Sequence, residues 1–144
     1  MSYKGKYKPI NVKKYKGDPT KVIYRSLLER RFMVYCDTNS SILQWNSEEV
    51  VIPYRSPLDN RIHRYFVDFW IKFRDKNGDV KTNLIEIKPF TQTKEPKKTT
   101  KKPTRRFIKE VATWGVNQAK WKAADDYCKD RLWEFKIITE KELK

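Results

Sequence analysis

The tripeptide Lys76-Asn77-Gly78 stands between two β-rich runs, 62–73 and 80–88. Glycine suits the left-handed third position of a three-residue hairpin loop, so the spacing predicts an antiparallel hairpin in which Asp75 pairs with Asp79. Counting back from that pair places Asp68 opposite Glu86, on one face, with Cβ atoms about 5 Å apart. A two-residue Asn77-Gly78 loop would shift the register by one and send the two carboxylates to opposite faces. Alternation puts Tyr65, Val67, Phe69, Ile71 and Phe73 on one face of the first strand, and Arg64, Phe66, Asp68 and Trp70 on the other. In the second strand Leu84, Glu86 and Lys88 oppose Ile85 and Ile87.

Facing carboxylates on rigid strands repel unless a cation lies between them, and hard oxygen donors with room for water suit Mg²⁺, with Mn²⁺ as the alternative. Lys88 projects on the same face two residues beyond Glu86, where an ammonium can stabilise charge on a scissile phosphate. Two carboxylates and a lysine make a phosphodiesterase centre. An isolated Glu-x-Lys is more often the polar stripe of a half-exposed strand. Here the pair ends an apolar strand, faces an aspartate and sits in a strongly basic chain.

Thirty-three Lys and Arg against 18 Asp and Glu leave a formal charge of +15, which points to a polyanionic partner, DNA first. An anionic membrane would also attract that charge. No apolar run approaches the roughly 18 residues needed to span one, and no signal-peptide pattern opens the chain, so a soluble, intracellular protein is expected. His63 is the only histidine, which excludes mechanisms needing two imidazoles of this chain, such as phospholipase D-like or His-paired metal sites. Cys36 and Cys128 lack a paired-thiol or zinc spacing and read as buried thiols. Charge alone fits a protein that only binds nucleic acid equally well.

The length of 144 residues suits one domain, read as residues 19–144 behind a basic flexible arm over 1–18. The arm's six lysines alternate with Tyr3, Tyr7 and Tyr15, a composition for phosphate contact and stacking or for a solvated tail. Asp18-Pro19-Thr20 marks a helix start, and Tyr24, Leu27, Leu28, Phe32 and Tyr35 continue the helical spacing to about residue 37. A short strand over 50–54 and the turn formers 56–60 read as a hairpin with the strand carrying Asp68. Seven basic residues crowd a loop over 91–106, either a phosphate-binding flap over DNA or a solvated loop. Val111, Trp114, Trp121 and Cys128 mark one face of a long helix over 107–128, and 132–139 reads as a last strand. Thr139 with Glu142 resembles a capping box. The order of helix, three antiparallel strands, long helix and strand calls for an α/β fold with a mixed sheet flanked by helices.

Glu29 in the first helix, Asp68 at mid-hairpin and Glu86-Ile87-Lys88 together resemble the PD-(D/E)XK pattern of the restriction-endonuclease-like superfamily, in the same element order. The resemblance implies that core fold, with Asp68, Glu86 and Glu29 as Mg²⁺ ligands and Lys88 assisting the attacking water. Val67 stands where the pattern has proline, a position that supplies no ligand. Gln118 matches a glutamine common on the following helix in related nucleases, or is a solvated helix residue. More narrowly, Lys4-Gly5-Lys6-Tyr7-Lys8-Pro9, Tyr15-Lys16-Gly17-Asp18-Pro19, Tyr24-Arg25-Ser26-Leu27 and Ile52-Pro53-Tyr54-Arg55-Ser56-Pro57 resemble the head completion nuclease family of T-even-type bacteriophages. That resemblance implies action on packaged DNA during virion assembly in the host cytoplasm, portal or neck proteins as partners, and retention in the virion as a further possibility. Transposition endonucleases are a more distant likeness.

DNA contacts are expected from Arg64 and Gln118, and from Lys97, Lys98, Lys101, Lys102, Arg105 and Arg106 of the basic loop. Arg64 could equally be the salt-bridge partner of a carboxylate. Trp70, two residues past Asp68, is placed to line the floor of the site, and the other tryptophans read as core.

Overall fold

A computed structural model describes residues 4–143. The flexible arm expected over 1–18 is not what residues 4–18 form. Gly5–Lys6 (β1) pairs antiparallel with Ile23–Tyr24 (β2), and Tyr7 and Tyr15 are buried edge-on against Trp45. The anchor is Asp37, 0% exposed, whose carboxylate accepts from the Tyr7 hydroxyl at 2.6 Å and from the N–H groups of Ile10 and Asn11 at 2.7 and 2.9 Å. Lys14 Nζ donates to the carbonyls of Asp37 and Asn39. A segment without apolar periodicity is thus held by one buried carboxylate, and its tyrosines serve the core. Residues 1–3, with Tyr3, and Lys144 lie outside the described residues.

The helix expected from residue 19 begins later, as Leu27–Thr38 (α1). Asp18 does cap, but it accepts from Thr20 N–H to close a single 3₁₀ turn, after which Val22 is buried and β2 runs extended. The operative start is Ser26, whose hydroxyl accepts from Glu29 N–H at 3.1 Å while Arg25 N–H donates to Glu29 Oε1 at 3.4 Å. This near-complete capping box places Glu29 in the first turn, where the helix dipole favours a carboxylate. Phe32, Met33 and Cys36 then recur on the buried side.

A strand that sequence reading missed follows, Ile42–Ser47 (β3). Val51–Arg55 (β4) and Ile62–Phe66 (β5) form the first hairpin, as expected, but as a sheet of their own. The run 62–73 is two strands, because the chain bends at Val67-Asp68 before Phe69–Arg74 (β6). Val80–Ile87 (β7) returns antiparallel, and Gly78 at φ +85° supplies the left-handed turn residue. Asp75 N–H donates to Asp79 carbonyl at 2.9 Å and Phe69 pairs with Ile85, which is the register predicted from the three-residue loop.

Arg105–Arg131 (α2) carries the chain across the sheet so that Glu134–Ile138 (β8) lies parallel to β7, completing the mixed order β3-β6-β7-β8. Thr104 caps α2 through Phe107 N–H at 3.0 Å, so Arg105 and Arg106 belong to the helix and not to the basic loop. The buried stripe of α2 is Asn117, Trp121, Ala124 and Cys128, whereas Val111 is exposed. Thr139 N–H and hydroxyl both donate to Glu142, the capping arrangement expected there.

Two cores sandwich the sheet. Phe32, Met33, Cys36, Trp45, Phe69, Ile71, Ile85 and Ile87 pack under α1, and Ile52, Tyr65, Val67, Trp70, Leu84, Ala124 and Cys128 under α2 and the β4–β5 hairpin. Both cysteines are free and buried. No helix among the described residues is long and apolar enough to cross a membrane.

Candidate active site

The bend at Val67-Asp68 corrects the simple alternation. Val67 N–H pairs with Val50 carbonyl, whereas Asp68 carbonyl accepts from Glu48 N–H, so the chain changes sheets between these two residues. Tyr65 and Val67 therefore join the core under α2, and Phe69 and Ile71 the core under α1, although strict alternation would put all four on one face. Tyr65 thus reaches the carboxylates, while Arg64 is exposed with its guanidinium over the Phe66 ring.

Asp68 ends up across from Glu86, as the register requires. Asp68 Oδ2 accepts from Ile87 N–H at 2.8 Å, which extends the β6–β7 ladder through a side chain. Glu86 is buried at 5% exposure, with Oε1 accepting from the Tyr65 hydroxyl at 2.8 Å and Oε2 from Trp121 Nε1 at 3.5 Å. Lys88 Nζ lies 3.8 Å from Glu86 Oε2 and keeps a quarter of its side chain exposed. Burial, then the adjacent Glu86 charge, pushes the Asp68 carboxyl well above the usual carboxylate range, against the opposing hydrogen bond from Ile87. Burial and the Glu86 charge likewise raise the Tyr65 hydroxyl, so it remains a donor.

Glu29 is half-buried at the start of α1, its carboxyl raised first by burial and also by Glu48, with the Arg25 N–H bond opposing. Its charge acts on Asp68, yet among the described residues no three His, Cys, Asp or Glu side chains converge tightly enough to enclose a metal ion. Arg25 spans this edge, binding Glu48 through Nε at 3.3 Å and Nη2 at 3.0 Å. Glu48 sits at φ +56° with its N–H donating to the Asp68 carbonyl. A left-handed glutamate has no residue signal, so Arg25 and Glu48 were not legible beforehand.

On α2, Gln118 is exposed, and Asn117 and Trp121 turn inward instead, one helical turn apart. Trp70 is buried beneath α2, packed with Leu84. Lys97 and Arg106 line a cleft between the segment after β7 and α2, whereas Lys98, Lys101, Lys102 and Arg105 are exposed outside its lining.

A mixed sheet between two helices, with Asp68 at the bend before β6 and Glu86-Ile87-Lys88 at the end of the adjacent β7, is a nuclease-like arrangement. Residues 39–140 match the model of the TnsA-like endonuclease N-terminal family, and the chain belongs to that family, within the PD-(D/E)XK superfamily. The matched span holds Asp68, Glu86 and Lys88 but begins after Glu29. Over 143 residues the chain is also 43% identical to the head completion nuclease of Enterobacteria phage T4, an alignment covering 97% of this chain and 93% of that protein.

Proposed function

We propose that this protein is a metal-dependent DNA endonuclease that hydrolyses phosphodiester bonds at Asp68, Glu86 and Lys88, with Glu29 as an outer carboxylate, and that it trims packaged phage DNA during head completion. The observation that carries the reading is the register of the β6–β7 hairpin, which holds two carboxylates face to face with Lys88 beside them. Mutually repelling oxygen donors, Glu86 buried and Asp68 half-buried, fit a hard divalent cation, Mg²⁺ or Mn²⁺. Such a cation would supply Lewis-acid polarisation of the phosphate and an acidified water. Lys88 places its ammonium to stabilise charge on the phosphoryl oxygens. Tyr65 and Trp121 hold Glu86 in one orientation, as outer donors do around ligating carboxylates. Arg25 neutralises Glu48 at the rim and so keeps a fourth carboxylate from repelling the phosphate.

The phage setting rests on the likeness to the T4 protein, and under it portal or neck proteins are the partners at the assembly site, in host cytoplasm or in the virion. The +15 charge serves DNA binding with or without cutting. The deciding experiment incubates the protein with supercoiled and linear DNA in Mg²⁺, Mn²⁺ or EDTA. Cutting is expected with metal and none in EDTA. Binding without cutting in every metal would instead make this a DNA-binding assembly protein with a nuclease fold.

Tyr65→Phe removes the hydroxyl on Glu86 without altering ring packing. Divalent-ion affinity, measured by calorimetry, is expected to fall about 10-fold or more. Unchanged affinity would mean that the Trp121 contact alone orients Glu86.

A further inference from the structure

The nuclease centre lies beside a cleft of about 670 Å³ between residues 91–97 and the first half of α2. We propose that this cleft holds an unpaired nucleotide of the DNA, stacked on Trp114, so that the preferred substrate carries a single-stranded segment or frayed end next to the scissile phosphate. The proposal deepens the DNA nuclease reading above and rests on it for the identity of the polyanion.

Three observations carry it. The first is charge: Lys94, Lys97, Arg106 and Lys109 line the cleft against Glu95 and Glu110, and Arg106 is already paired with Glu110 at 3.0 Å. The remaining cations outnumber the remaining carboxylate, which suits a phosphodiester backbone. The second is the indole of Trp114, half-buried in the wall of the cleft, which offers an aromatic surface on which a base can stack. Asn117, buried and also in the wall, adds an amide for a base edge.

The third is continuity. Trp114 meets Trp121 edge to face with centroids 6.0 Å apart, and Trp121 Nε1 reaches Glu86 Oε2 at 3.5 Å. The stacking wall and Glu86 are therefore joined by one side chain, Trp121, so a base on Trp114 lies one side chain away from a site carboxylate. A base within a duplex offers only its edges to a protein, since both faces are stacked. A cleft of this volume falls in the roughly 300–1,000 Å³ range of small-ligand sites, and it admits a nucleotide and not a double helix. Stacking is indifferent to base identity, so little sequence preference follows.

The test reads binding by fluorescence anisotropy in EDTA, where no cutting occurs, using labelled oligo-dT and a hairpin duplex of the same base count. Trp114→Ala is expected to weaken oligo-dT binding about 10-fold and the duplex much less, and Trp114→Phe to restore oligo-dT binding to within about 3-fold. Equal weakening of both probes, or none, overturns the proposal. Thermal unfolding of each variant shows that it is folded, and Trp114→Phe keeps the aromatic contact to Trp121 in any case. Failure here leaves metal-dependent cutting by the wild-type protein untouched. Trp114-dependent oligo-dT binding with no cutting in any metal removes the nuclease reading alone.

Discussion

Replacing Asp68 by asparagine is expected to lower DNA cutting on the order of 10³-fold while making the metal-free protein more stable. The sign of the second effect follows from linkage. The folded protein raises the Asp68 carboxyl above its unfolded range, so the charged form is disfavoured by folding. That cost is absent below the unfolded pKa and fully present once pH exceeds the folded one. Asparagine keeps an oxygen to accept from Ile87 N–H and brings no charge. In EDTA near neutral pH its melting temperature should rise by about 3 °C or more.

Mg²⁺ or Mn²⁺ should raise the melting temperature of the wild-type protein but not of Asp68→Asn, because only a site that binds the ion when folded gains by mass action. Lys88→Ala should lose cutting to a similar degree yet keep the stabilisation by metal, which separates the ligand from the phosphate-stabilising cation. Equal metal stabilisation of wild type and Asp68→Asn would remove Asp68 from the metal site.

The largest structural effect is expected at the opposite core. Asp37→Ala deletes the acceptor of three hydrogen bonds, from the buried Tyr7 hydroxyl and from the N–H groups of Ile10 and Asn11. A charged acceptor contributes about 1.5–3 kcal/mol per bond, and removing one partner of a buried charged network costs about 3–5 kcal/mol, a large share of a domain's stability. Urea unfolding should show that loss, and limited trypsin digestion should open the lysines of residues 4–18 first. A change below about 1 kcal/mol would mean that the segment is held by its tyrosine packing instead.

The same carboxylate gives a pH signature. Burial, the largest single influence, raises the Asp37 pKa, but the bonds from Tyr7, Ile10 and Asn11 together with Lys14 outweigh it, and the group ends below its ordinary value. Its contribution is therefore complete above the unfolded carboxylate pKa, about 4, and disappears as pH falls through the lower folded value. The stability gap between wild type and Asp37→Ala should be constant near neutrality and narrow in acid.

The hairpin of β6 and β7 was legible because its determinants are local. A glycine at the left-handed turn position and a side-chain period of two suffice to set Asp68 against Glu86 and to send Lys88 to the same face. The long helix and a last strand in a mixed sheet were also readable, from helical spacing followed by a β-rich run. The capping box of Ser26 and Glu29 was equally local, but the stronger-looking Asp18-Pro19 signal hid it, since a cap closes a 3₁₀ turn as readily as a helix.

β3 escaped notice because its short run, Ile42 to Ser47, alternates poorly, and it is a strand only because β6 lies beside it. The same holds for the arm, whose tyrosines are buried only where Asp37 and Trp45 wait for them. The facing of the two carboxylates and the lysine follows from the chain locally, because turn geometry and strand periodicity act over a few residues. The contacts of Tyr65 and Trp121 with Glu86, the pairing of Arg25 with Glu48 and the inward turn of Asn117, with Gln118 left exposed, had no such local signal. Those placements depend on a bend between two sheets and on the rotation of α2 over them, which are settled by packing between residues far apart in the chain.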